Sequence, residues 1–186
     1  ANISRGFLQR FTKKHAWPAS LTTINGIDII VRENTDQQSP FASEQFTIGY
    51  RMSILETASG LCILSYMPAK RRNLILKTLA HTNSVFKKIV SKPKALETKF
   101  IKIVKQGFAV KNRARRFDDQ IAISVPIITP EDSVRGALTV RYSKSAIALD
   151  QAVEEFVPSL KKASQGIASR INLHINRQKT LNNIKA

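Results

Sequence analysis

The stretch Ser20-Leu21-Thr22-Thr23-Ile24-Asn25-Gly26-Ile27-Asp28-Ile29-Ile30-Val31 decides the class of fold. Two runs rich in β-branched residues flank Asn25-Gly26, and both central residues of a type I′ turn need the positive φ that Asn and Gly tolerate. The pattern predicts a β-hairpin. Before it, residues 3–15 read as an amphipathic helix, with Ile3, Phe7, Leu8 and Phe11 on one stripe and Arg10, Lys13 and Lys14 off it, stopped by Pro18. After it, residues 34–46 are polar, contain Pro40 and read as a loop punctuated by Phe41 and Phe46.

Helical spacing takes over in the middle of the chain. Thr57-Ala58-Ser59-Gly60 ahead of Leu61, Ile63 and Leu64 is a capped helix start. Pro68 opens a second helix, predicted to turn Leu74, Ile75 and Leu79 inward and Lys70, Arg71, Arg72 and Lys77 to water. A third runs from about Pro93 to Gln106, with Leu96, Phe100, Ile103 and Val104 as its apolar stripe and Gly107 as its stop. Lys94, Lys99, Lys102 and Lys105 lie off that stripe.

Strands return at residues 121–128 and 136–142, joined by the turn-rich Thr129-Pro130-Glu131-Asp132-Ser133. A last helix then keeps apolar spacing through Val153, Phe156, Val157, Leu160, Ala163, Ile167, Ile171 and Ile175, across Pro158 and Gly166. Strands near both ends with helices between them predict an α+β domain: one antiparallel sheet flanked by helices, with a long C-terminal helix. A doubly wound nucleotide-binding fold is excluded by this order.

The chain has 186 residues, 42% of them hydrophobic, enough to bury roughly 70% of the unfolded surface. No apolar run approaches the length of a membrane span, and a single cysteine, Cys62, excludes an internal disulfide. A cytoplasmic setting is expected. Thirty Lys and Arg against thirteen Asp and Glu give +17. Residues 57–117 hold fifteen basic side chains and one acid, Glu97, a net +14. Such a segment attracts anions: nucleic acid, a metabolite or an acidic surface.

Catalytic patterns are missing. The sequence has no HExxH, P-loop or GxGxxG motif. His15, His81 and His174 read as surface residues, Cys62 as a small core residue, and Asp118-Asp119 and Glu131-Asp132 as loop and turn residues. No enzyme, metal site or cofactor is expected. Two binding readings remain. A nucleic-acid module would use Lys70–Arg72 and the Lys111, Arg113, Arg115, Arg116 cluster, whereas Lys94, Lys99, Lys102 and Lys105 of the third helix read more simply as the wet face of an amphipathic helix. A small-anion site would use the helix N-terminus at Ala58, Ser59 and Gly60, where backbone N–H groups and the helix dipole favour a carboxylate. On the strand 136–142, Thr139 and Arg141 share one face and Leu138 and Val140 the other. An arginine beside a threonine there either binds a carboxylate or is a solvated edge residue.

Several segments together resemble the effector-binding domain of IclR-family transcription regulators. They are Gly49-Tyr50-Arg51-Met52-Ser53-Ile54-Leu55-Glu56-Thr57-Ala58-Ser59-Gly60, the helix ending in Gly107-Phe108, the strand Ile121-Ala122-Ile123-Ser124-Val125-Pro126-Ile127 and the strand Gly136-Ala137-Leu138-Thr139-Val140. They run in the family's order over about residues 3–175. The neighbourhoods of Trp17-Pro18 and Val31-Arg32-Glu33 look closest to the branch activating 3-(3-hydroxyphenyl)propionate catabolism.

The resemblance implies a GAF-like, profilin-like sheet, and residues 1–186 as an effector-binding and oligomerisation domain. It implies a small, aromatic carboxylate effector held at Ala58, Ser59 and Gly60, with opposing contacts from Ala122, Thr139 and Arg141 and walls from Phe41, Phe46 and Met52. Some members carry cysteine where Ala122 stands and serine where Arg141 stands, so this arginine either adds a charge or fills ligand space. The implied partners are the effector, further copies of the chain as a dimer or dimer of dimers, and promoter DNA. That last contact is made through a winged helix–turn–helix that these residues do not contain.

Overall fold

The computed structural model describes residues 2–112, 119–129 and 134–184. Helix α1 (Asn2–His15) ends where Ala16 takes a positive φ of 64°. Strands β1 (Ala19–Asn25) and β2 (Asp28–Asn34) then form the predicted hairpin, but its turn lies one residue later than the sequence indicates. Asn25 pairs with Asp28, so Gly26 and Ile27 are the central residues, and of the two only Gly26 has a positive φ, 62°. This is the II′ pattern, which puts glycine first and leaves the β-branched second residue at an ordinary negative φ.

A short strand β3 (Arg51–Ser53) pairs with β2. Helices α2 (Ala58–Tyr66), α3 (Ala69–Ala80), α4 (Ser84–Val90) and α5 (Pro93–Gln106) follow. Strands β4 (Ala109–Asn112), β5 (Gln120–Ile128) and β6 (Val134–Ser143) then lead into the 36-residue α6 (Leu149–Ile184). The sheet order is β3-β2-β1-β6-β5-β4, and every neighbouring pair is antiparallel. The α+β sheet flanked by helices is therefore the observed fold.

Alternation along the strands builds two cores. Leu138, Val140 and Tyr142 of β6 and Ile121, Ile123, Val125 and Ile127 of β5 pack under α1 and α6, against Leu8, Phe11, Phe156 and Leu160. The other face is covered by α2 to α5 and contains Ile29, Leu61, Cys62, Leu64, Leu79, Phe100 and Ala137. Helix α2 lies innermost, with eight of its nine residues buried, as expected of a helix without a polar face. Pro126 tolerates its place in β5 because β4 pairs only as far as Ser124, so its missing N–H costs no ladder bond on that side.

The sequence reading needs correction at several positions. On α3, Leu76 and not Leu74 points inward; Leu74 is 66% exposed, while Arg72 is buried and its Nη2 donates to Glu97 of α5 at 3.0 and 3.2 Å. Val104 stands outside the α5 stripe. Lys111 belongs to β4, not to a loop, while Arg113, Arg115, Arg116, Asp118, Glu131 and Asp132 lie outside the described residues. Asp119 accepts from the backbone N–H of Ser145, as a turn residue does. His15 is buried between α1 and α6, with Nδ1 2.9 Å from Glu155 and Nε2 3.0 Å from Ser159, although His81 and His174 are exposed.

Candidate functional site

The face of the sheet opposite α6 is apolar where α2 covers it and polar beyond the N-terminus of that helix. Register fixes the polar patch: Ser20 and Ser124 flank Thr139 on either side, and Ala122 lies between Lys111 and Arg141. The Ser124 and Thr139 hydroxyls are 2.9 Å apart. Above this patch stands the first turn of α2. Thr57 is its N-cap, with φ −122° and ψ 152°; its Oγ1 accepts from the Gly60 N–H at 3.1 Å and donates to the Ser53 carbonyl at 3.1 Å. The cap uses the third N–H of the helix. Those of Ala58 and Ser59 have no partner inside the helix, and they sit at the positive end of its dipole.

Between the helix end and the strands is a cavity of about 40 Å³, room for a few waters at about 10–15 Å³ each. Of the expected residues, Ala58, Ser59, Ala122, Thr139, Arg141, Phe46 and Met52 line it together. Two do not. A Cβ on Gly60 would stand 2.0 Å from the Ile54 carbonyl oxygen, so this glycine serves the close approach of the helix to the preceding turn. Phe41 is 53% exposed and lies against Trp17, with ring centroids 4.7 Å apart.

Arg141 corrects one of the two alternatives read from the sequence: it is not a solvated edge residue. Its side chain is 5% exposed, and its Nη2 donates to Asp36, whose own side chain is 1% exposed. Glu44 lies 3.9 Å from Nη1, and the guanidinium sits 4.4 Å above the Phe46 ring. All three partners come from the segment between β2 and β3. Asp36 also accepts from the Phe46 N–H at 2.8 Å, and Asn34 donates to the Phe46 carbonyl at 2.6 Å. One arginine on the cavity floor thus holds the loop that roofs it.

Sequence reasoning missed Ser20, Thr22, Glu56 and Lys111, which also line the cavity. The alternating small polar residues of β1 were a readable signal for the first two. Nothing local marks Asp36, which reaches Arg141 across 105 positions of sequence. Below the site, burial pushes the Cys62 thiol up, so it stays protonated. Among the described residues no group of three His, Cys, Asp or Glu could hold a metal ion. Nor is any described helix long and apolar enough to cross a membrane.

Residues 1–169 match the family described as bacterial transcriptional regulator IclR, C-terminal. The chain belongs to this IclR C-terminal family. A curated relative, the probable transcriptional regulator SauR of Cupriavidus necator, is 24% identical over 170 residues. That match covers 88% of this chain and 64% of the relative, so the chain spans under two thirds of the relative's length. Among solved IclR structures, that of Thermotoga maritima superposes with a TM-score of 0.76 at 20% identity, covering 91% of this chain and 67% of the other. The inducer-binding domain of a PobR double mutant from Acinetobacter, solved with 3-hydroxybenzoic acid, gives 0.69 at 13% identity, with 90% and 96% covered. These structural likenesses establish the fold, and the relatives bear the names of regulators of transcription.

Proposed function

We propose that this IclR-type domain senses a small aromatic carboxylate in the cavity between the α2 N-terminus and the polar patch of the sheet. The carrying observation is the convergence, at one cavity, of the Ala58–Ser59 helix terminus with Ala122 and Thr139 on the strands and Phe46 and Met52 at the walls. The helix terminus takes the carboxylate, the strand hydroxyls take a second polar group, and the side chains of Phe46 and Met52 take the ring. The PobR domain solved with 3-hydroxybenzoic acid supports an acid of that kind, and 3-(3-hydroxyphenyl)propionate is another worth testing.

The cavity admits a ring only if Phe46 withdraws with its loop. Arg141 remains with Asp36, the more buried partner, while the Glu44 contact at the rim and the Phe46 backbone bonds to Asp36 and Asn34 yield. Ligand binding thereby becomes a change in loop position, the differential interaction that a regulator needs to shift between two states. In the intact regulator a winged helix–turn–helix outside residues 1–186 contacts promoter DNA, and this domain self-associates as a dimer or dimer of dimers.

A thermal-shift series with benzoate, 3-hydroxybenzoate, 3-(3-hydroxyphenyl)propionate and aliphatic acids tests the reading. A saturable rise in Tm with an aromatic acid is expected, equivalent to about 2.7 kcal/mol at one hundred times Kd. If no acid raises Tm, the reading falls.

A further inference from the structure

The charge of the α3–α5 layer is not explained by the fold. Residues 69–106 contain eleven Lys and Arg and one acid, Glu97. Only Arg72 among the eleven is buried, and it holds Glu97. The remaining 148 residues carry nineteen Lys and Arg against twelve acids, so both signs are mixed there, whereas this layer is almost free of acids. A surface made merely soluble interleaves both signs along its helices. Here α3, α4 and α5 have no acid in their first turns, and α3 begins with Lys70, Arg71 and Arg72. Cations at the positive end of a helix dipole cost about 0.3–1 kcal/mol each at exposed sites. The placement works against helix stability and in favour of an anionic partner.

We propose that the outer face of α3–α5 docks on the phosphate backbone of duplex nucleic acid without reading its sequence. The cations are nearly all lysines, point charges suited to phosphates more than to the bidentate reading of base edges. Helix α5 spans roughly 21 Å at 1.5 Å per residue and carries Lys94, Lys99, Lys102 and Lys105 on its exposed side. A duplex presents one charge per about 1.7 Å of its axis, so one helix length faces many phosphates. Single strands are the poorer fit. Phe86 packs against the core and Phe100 is buried, so this layer exposes no large aromatic surface for stacking bases. The proposal is independent of the carboxylate reading.

Fluorescence anisotropy of the 186-residue chain with a mixed-sequence duplex tests it, between about 50 and 200 mM salt. Two triple variants carry the same change in net charge: Lys94→Glu/Lys102→Glu/Lys105→Glu on the proposed face, and Lys13→Glu/Lys14→Glu/Lys162→Glu on the opposite side. Circular dichroism confirms that both are folded. Steeply salt-dependent binding is expected, weakened at least tenfold by the first triple only, with the slope of log K against log salt falling by about 0.9 per lost phosphate contact. Equal weakening by both triples would reduce the effect to net charge and overturn the proposal. So would the absence of duplex binding, including the case where the chain instead binds phosphatidylserine vesicles.

Discussion

Replacing Arg141 by methionine removes the cation from a buried cluster while keeping an unbranched apolar stem as far as about the Nε position. Asp36, 1% exposed, then keeps only the Phe46 N–H at 2.8 Å on its carboxylate, and Phe46 loses the guanidinium 4.4 Å from its ring. Leaving one partner of a buried pair uncompensated costs about 3–5 kcal/mol, so the variant should lose that much in urea denaturation. Asp36→Asn should cost less, about 1.5–3 kcal/mol, because the amide oxygen still accepts from Phe46 and Glu44 remains near the guanidinium. The double variant removes both charges. It should be more stable than the sum of the single effects predicts by at least about 1 kcal/mol, within the range found for residues of one network. High salt should change little, since a buried pair is poorly screened. A cost for Arg141→Met under about 1 kcal/mol, or additivity within about 0.5 kcal/mol, would refute the idea that this arginine anchors the loop.

Three other outcomes are expected. Ala58→Pro removes one helix-terminal N–H at a position where proline is tolerated, because Thr57 is already extended at ψ 152°; isothermal titration should show effector binding lost while Tm changes little, and unchanged affinity would take the Ala58 N–H out of the site. Gly60→Ala drives a methyl into the Ile54 backbone, 2.0 Å from its carbonyl oxygen, and should destabilise by about 1–3 kcal/mol or more in chemical denaturation. Tyr142, buried among Trp17 and Phe156, has a hydroxyl without a hydrogen-bond partner among the described residues, and burial pushes its phenol up to about 12. The unfolded chain releases that proton near the ordinary value of 10, so stability is full below pH 10 and falls as pH rises to about 12. Tyr142→Phe should raise Tm and flatten that alkaline loss, and an unchanged pH profile would count against the assignment.

The elements legible in advance were those with a local cause. The β1–β2 hairpin, the Thr57 cap, the Pro93–Gln106 helix and the long α6 each carry their signal within a few residues: a turn glycine, a capping hydroxyl, an apolar period, a stop glycine. Strands β3 and β4 are three and four residues long, too short for a period of two to stand out. Helix α4 has no fully buried residue, so it lacks the apolar contrast that marks a stripe. The outward Leu74 shows the same limit, because helical spacing does not say where along an arc the neighbouring helix ends.

By itself the sequence determined the faces of β6 and the capped start of α2, because each follows from periodicity and backbone chemistry within one element, and the order of the elements gave the α+β class. That the helix N-terminus meets the polar strand face was implied only by the family resemblance. The sequence also determined the one-sided charge of residues 57–117, which composition alone reveals. Only the tertiary structure decided what Arg141 does. A strand period places its side chain on a face, but the carboxylate that meets it belongs to Asp36, 105 residues away. Which acid a buried cation finds depends on how distant loops close over a sheet, and no local pattern in the chain encodes that distance.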